Sequence, residues 1–334
     1  MAAMSAKLMV CGCGEKKPPT EPKTIYEYWR WNASIIFEHA DASVKALIQA
    51  IESDDLDKIT RLAEDGADIN ARGKMDITPL AWALLADDET FEKLLELGAD
   101  PNIPVDLTMW KDYGWNSPHT FCYYISAGTV VNMLCNRIDF EVDGTNYPFR
   151  GILNDRPKLR AALEHGGDPN RIVFFNNTYY SPLMQVGSVL AVIKTGTRIL
   201  LDAGADPNYA APSGLTLLQE FLSAGEGNDN QIEAIEMLLD AGVDICAGDR
   251  GTDIVMSLVR WEASRTWNQT PLSDTFCRLR DQVIEKGVDY ELAKETINTP
   301  GNRKNDLYRL PFNKRPWLPC YEPDEEEEPE AATD

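Results

Sequence analysis

Apolar positions recur along the chain in short bursts at helical spacing, and the bursts are separated by one small set of turn residues. In ETFEKLLELG (89–98), Phe91, Leu94 and Leu95 fall at i, i+3 and i+4 and make one apolar stripe. A glycine and an Asp-containing turn close it. The same order returns in LAEDGADIN, ending at Asn70, in LLELGADPN, ending at Asn102, in ALEHGGDPN, ending at Asn170, and in LLDAGADPN, ending at Asn208. Fainter copies are LLDAGVDIC, ending at Cys246, and VIEKGVDYE, ending at Glu291. Upstream lies a second phrase: Thr78-Pro79-Leu80, Ser117-Pro118, Ser181-Pro182-Leu183, Thr216-Leu217-Leu218 and Thr252-Asp253-Ile254. A Ser or Thr hydroxyl can cap the free N–H groups of a helix, and Pro fits the first helical position. The pattern therefore predicts units of two short helices. Gly66, Gly98, Gly166, Gly204 and Gly242 should end the second helix in the left-handed conformation.

The shared glycines, ending with Gly287, are spaced 32, 68, 38, 38 and 45 residues apart. The gap of 68 is twice 34, which predicts a hidden copy. MLCNRIDFE (133–141) fits, with Arg137 in the glycine's place and Asp139 retained. This yields about seven units over 43–297, about fourteen helices and no sheet core. A two-helix unit cannot bury its own apolar face, so the units must stack on their neighbours.

The Thr-Pro-Leu-x-x-Ala of 78–83 and the Leu-Leu-x-x-Gly-Ala-Asp-Pro-Asn of 94–102 and 200–208 resemble the ankyrin repeat. The His common after Thr-Pro-Leu is Ala81 here, which marks a divergent array. The resemblance implies an all-α ankyrin-repeat solenoid of stacked helix pairs with turn and finger connections. It further implies a non-enzymatic scaffold that recognises a protein partner and needs no cofactor. The alternative is an array that inhibits or presents a partner enzyme.

Outside the array, residues 1–42 read as a leader and N-terminal cap, with Tyr26, Tyr28, Trp29 and Trp31 covering the first repeat. Val10-Cys11-Gly12-Cys13 resembles a bacterial lipoprotein cleavage box with Cys13 as the lipid-bearing residue. Lys7 leaves just Leu8, Met9 and Val10 before that box, too short an apolar run for export, so a cytoplasmic location is expected. If the true start lies upstream, the alternative is an exported, lipid-anchored protein. Residues 298–321, with four prolines, read as a strap over the last repeat, and 322–334 as a disordered acidic tail.

Composition narrows the function. The net charge of −22 repels phosphate backbones and argues against nucleic acid. No run of 18 apolar residues is present, so no transmembrane helix is expected. Seven cysteines are too few for a disulfide scaffold. Cys122, Cys135, Cys246 and Cys277 read as small apolar fillers, whose scatter suits a reducing compartment. His39, His119 and His165 are isolated, and the Asp-x-Asn turns lack the alternating carboxylates of a calcium loop. No catalytic or metal site is expected.

Two links are longer than the repeat pattern. Residues 103–116 carry Trp110, Tyr113 and Trp115, and residues 171–180 carry Phe174, Phe175, Tyr179 and Tyr180. Aromatic side chains on loops of a rigid scaffold are frequent binding hot spots. The competing reading is that these rings pack on one another. An exposed patch of that size would risk aggregation in the expected monomer. The insertions at 225–229 and 265–271 read as outer loops with no special role.

Overall fold

A computed structural model describes residues 33–105, 129–135, 156–175, 178–188, 190, 193–225, 227–299 and 304–323. After a short α1 (Ala33–Ile36), helices follow in pairs. They are α2 (Ala42–Glu52) with α3 (Leu56–Glu64), α4 (Pro79–Trp82) with α5 (Asp88–Glu96), α6 (Val130–Cys135) with α7 (Arg156–Glu164), α8 (Pro182–Gly187) with α9 (Ile193–Asp202), α10 (Leu217–Ser223) with α11 (Asp229–Asp240), and α12 (Ile254–Trp267) with α13 (Asp274–Glu285). Helix α14 (Tyr290–Asn298) packs along α12 as the first helix of a further half unit, and α15 (Lys304–Arg309) lies in the strap. The second helices stack in one unbroken row from α3 to α13. The fold is an all-α solenoid of the ankyrin type.

The caps fall where the hydroxyl and proline pattern put them. Thr78 accepts from the Ala81 N–H at 3.1 Å, and Ser181 from the Met184 N–H at 3.2 Å. Pro79 and Pro182 stand at the first helical position, where a missing N–H costs nothing. Thr216 and Gln219 form a reciprocal capping box. In the next unit the cap is Asp253, one residue beyond the expected Thr252; it accepts from Met256 N–H at 2.8 Å. The reason lies in the strap.

Each second helix ends in the expected turn. Gly98 has φ of 96°, and the glycines at 66, 166, 204, 242 and 287 lie within the same left-handed region. The Ala99 N–H then reaches back to the Leu94 carbonyl at 2.9 Å and closes the helix.

The turns are tied to one another by asparagine. Asn70 donates to the Gly98 carbonyl at 3.1 Å and accepts from the Asp100 N–H at 2.8 Å. Asn170 does the same to Gly204 and Asp206, and Asn208 to Gly242 and Asp244. This row corrects the repeat count. Asn102 grips Gly166 and Asp168 directly, each at 2.8 Å. Helix α7 packs on α5, and the buried Lys158 ammonium reaches Asp88 at 2.8 Å. No layer stands between these turns. Met133 and Leu134 belong to α6, the first helix of the unit that α7 completes; Arg137 and Asp139 lie outside the described residues. Within the gap of 68 the described residues form one unit, α6 with α7. Among the described residues there are six helix pairs and a terminal half unit where seven full units were expected.

The apolar core runs without a break from Ile36 to Leu318. At the front, Phe37 meets Trp82 edge-on with ring centroids 5.7 Å apart, and Lys74 pairs with Glu38 at 2.7 Å. Residues 33–40 thus cover the first units, while Tyr26, Tyr28, Trp29 and Trp31 lie outside the described residues. At the far end the strap is more ordered than an irregular segment. Phe312, Trp317 and Leu318 are buried, and Arg315 is fully buried against Asp253. The Arg315 guanidinium also donates to the carbonyls of Gly251, Leu307 and Leu310, and Trp317 Nε1 donates to Asp253. One carboxylate therefore caps α12 and neutralises a buried cation, which a Thr hydroxyl could not do. The strap reaches past the expected boundary: Glu322 N–H donates to the Asn313 carbonyl at 2.7 Å. Residues 324–334 lie outside the described residues.

The filler reading of Cys246 is overturned. Cys246 and Cys320 form a disulfide across a separation of 74 residues. Cys277 is a free, half-buried thiol, and the side chain of Cys135 and all of Cys122 lie outside the described residues.

Candidate partner-binding surface

The link after Asn170 is a β-hairpin, the one sheet among the described residues. Strand β1 (Val173–Phe175) pairs antiparallel with β2 (Thr178–Tyr180), in the register Val173 to Tyr180, Phe174 to Tyr179 and Phe175 to Thr178. Side chains alternate across a strand, so opposite residues share a face. Val173 is buried and Tyr180 packs against the core, which makes theirs the inward face. Phe174 and Tyr179 form the outward pair, 53% and 45% exposed, with centroids 4.9 Å apart and planes tilted by 50°. Ile172, also exposed, extends this apolar surface. Packing and exposure, the two rival readings of the finger, thus each hold for one face of it.

The finger is braced at both ends. Buried Asn132 on α6 donates to the Arg171 carbonyl at 2.8 Å and holds the entry to β1. From the next unit, the Tyr209 hydroxyl donates to the Tyr179 carbonyl at 3.1 Å. Burial, and secondarily Tyr179, push the Tyr209 phenol up from its ordinary range, so it stays a donor at neutral pH. A braced, exposed aromatic pair presents contact area with little conformational entropy left to lose, the property that makes aromatics effective anchors.

Of the seven aromatic residues singled out in the sequence, Phe174 and Tyr179 are brought together at the surface and Tyr180 turns inward. Phe175 is placed by its backbone in β1. Trp110, Tyr113 and Trp115 lie outside the described residues, as does Cys13.

A second apolar feature went unread in the sequence. Helix α12 is 14 residues long, against six and seven for α8 and α10, and its extra turns carry the 265–267 part of an insertion taken for a loop. Trp267 at its end is 87% exposed. With Val259, Ala263 and Lys294 it lines a groove of about 530 Å³ between α12 and α14. Glu262 holds one wall, accepting from the Tyr290 hydroxyl at 2.7 Å and pairing with Lys294 at 3.2 Å. The two insertions also pack together. Arg265 donates to the Gly227 carbonyl and to Ser273 Oγ, and that hydroxyl donates to Asp229. The series Val259, Ala263 and Trp267, in which each residue follows the last by four, was the available signal.

Among the described residues no group of three or more His, Cys, Asp and Glu side chains could hold a metal ion, and no helix is long and apolar enough to cross a membrane. The class that the geometry defines is a capped ankyrin-type repeat array with an aromatic finger. No protein-family model matches the chain. A mitochondrial disaggregase from Bos taurus is 27% identical over 157 residues, which are 45% of this chain and 22% of that protein. The chain thus aligns with about a fifth of that relative's length. Among solved structures, an ankyrin repeat domain from Acinetobacter baumannii AYE superposes with a TM-score of 0.46 at 19% identity, covering 71% of this chain and 96% of the other.

Proposed function

We propose that this chain is a non-catalytic protein-binding module that docks its partner on the outward face of the 171–180 finger. The observation that carries this is the Phe174–Tyr179 pair: two large rings, about half exposed, on a hairpin fixed by Asn132 and Tyr209. Rings that served packing would face Val173 and Tyr180, and these two face away. Binding arrays use such braced fingers because the scaffold has already ordered them.

The test is site-specific photo-crosslinking in the native host, with the crosslinker at position 174 and, as control, at Arg198 on α9. A recurrent protein adduct from 174 and none from 198 is the expected result. The adduct should disappear in Phe174→Ala/Tyr179→Ala, with the melting temperature unchanged. Equal labelling from both positions, or a variant that loses stability before binding, would sink the proposal.

A second reading is favoured by the Cys246–Cys320 disulfide. Disulfides persist in oxidising compartments, which fits an exported array anchored through Cys13 that inhibits or presents an enzyme better than a cytoplasmic one. Native protein that begins at Cys13 and partitions into detergent would support it. Aqueous protein retaining Met1 or Ala2 would end it.

A further inference from the structure

The disulfide stands where the turn row changes its chemistry. Asn70, Asn102, Asn170 and Asn208 occupy the same place in successive turns, and the next residue in that series is Cys246. The turns agree in detail: the Asn208 N–H donates to Asp206 at 2.8 Å, and the Cys246 N–H donates to Asp244 at 2.9 Å. A cysteine cannot grip the following turn as an amide does, because it lacks the paired donor and acceptor. Two parts of the strap take over. Cys320 bonds covalently to Cys246, and the Trp317 carbonyl accepts the Asp289 N–H at 3.0 Å. That N–H corresponds to those of Asp206 and Asp244, which bond to asparagine.

We infer that the strap is a redox-released clamp: the Cys246–Cys320 bond is the last rung of the turn row, and its reduction loosens the strap and the final half unit while the asparagine-held turns stay closed. Both cysteines are half-buried and neither is closed off, which leaves the bond an edge at which a thiolate can attack. In the reductive step a small dithiol or a dithiol-bearing reductase attacks one sulfur and forms a mixed disulfide. Its second thiol then displaces the remaining cysteine. The disulfide gains two electrons and two protons to become the Cys246 and Cys320 thiols, and the dithiol is oxidised to its own disulfide. Reduction removes the covalent restraint on a long loop and leaves the strap held by its apolar side chains, the Arg315–Asp253 pair and main-chain bonds. Those main-chain bonds are reporters. The Gly251 N–H donates to Tyr308, the Phe312 N–H to Asp249, and the Asp289 N–H to Trp317.

The experiment is amide hydrogen exchange on the full chain, with and without dithiothreitol, and on Cys320→Ser without it. The amides of Gly251, Phe312 and Asp289 should exchange at least about tenfold faster on reduction, with those of Asp168 and Asp206 unchanged. Cys320→Ser should match the reduced protein and ignore the reductant. Unchanged exchange at the three reporters would overturn the clamp. So would acceleration spread evenly to Asp168 and Asp206, since the bond would then support the whole stack. Because wild-type protein supplies the central measurement, poor folding of the variant does not blunt the test. Neither arm involves the aromatic finger.

Discussion

Between Asn70 and Asn208 each turn is gripped by the side chain of the turn before it, whereas beyond Cys246 the grip passes to a covalent bond and a strap carbonyl. The difference follows from what each turn has next to it. An interior turn is followed by a second helix pair, so the neighbouring turn is held rigid and an amide can meet it. The last turn precedes a half unit: among the described residues no second helix stacks on the row after α13. Its Asp289 swings to cap α14, accepting from the Leu292 N–H at 3.0 Å, where the interior aspartates hold their own Asn N–H. A stack in which each unit leans on its neighbours is weakest where one neighbour is missing. Here that end is held by bonds that cost more to build: a disulfide and a fully buried ion pair.

The sharpest way to break the comparison is at that ion pair. Arg315→Met removes the cation and leaves Asp253 buried beside Trp317 with its charge uncompensated. The expected loss is about 3–5 kcal/mol, and it should fall on the C-terminal units. Urea unfolding should separate into two steps, the first losing the α12–α15 region. A single cooperative step shifted by under about 1 kcal/mol would mean that the end is no different from the interior.

Within the interior the corresponding weak point is backbone conformation. Gly98 has φ of 96°, and a Cβ built there meets nothing within 4 Å. The penalty of Gly98→Val is therefore one of dihedral strain. It should exceed about 1 kcal/mol, because a β-branched residue fits the left-handed region badly. Equilibrium denaturation measures it, and an unchanged midpoint would count against strain at this turn.

The parts of this architecture legible in the sequence are the local ones. Glycine before aspartate announces a left-handed helix end, and Thr or Ser before Pro announces a start, because both are settled within a few residues. The asparagine row was hidden because its partners lie 28 to 66 residues away. The unit count went astray for a related reason: the segments flanking α6 together are as long as a repeat, so spacing alone imitated a missing layer. At the finger, Phe-Phe-Asn-Asn-Thr-Tyr carried a hairpin signal, β-prone residues on either side of an Asn pair. Strand alternation then separates Phe174 and Tyr179 from Tyr180. The Cys246–Cys320 pairing joins the array to a strap whose path no local pattern encodes.

The finest test exchanges the chemistry of the two regions. Asn208→Ala deletes two bonds, Nδ2 to the Gly242 carbonyl at 3.2 Å and Oδ1 from the Asp244 N–H at 2.8 Å. Both are solvent-exposed, so the loss should be about 1 kcal/mol. The reverse change is Cys246→Asn with Cys320→Ser, which places an interior rung at the end. The Asp289 N–H is already taken by the Trp317 carbonyl, so the new amide can add just one bond, to the Gly287 carbonyl. This variant should therefore exceed Cys246→Ser/Cys320→Ser in stability by less than about 1 kcal/mol. Neither of the two cysteine double variants should respond to dithiothreitol. If asparagine is no better than serine, the last turn does not share the interior geometry. Cys246 would then be a different kind of joint and not a substituted rung.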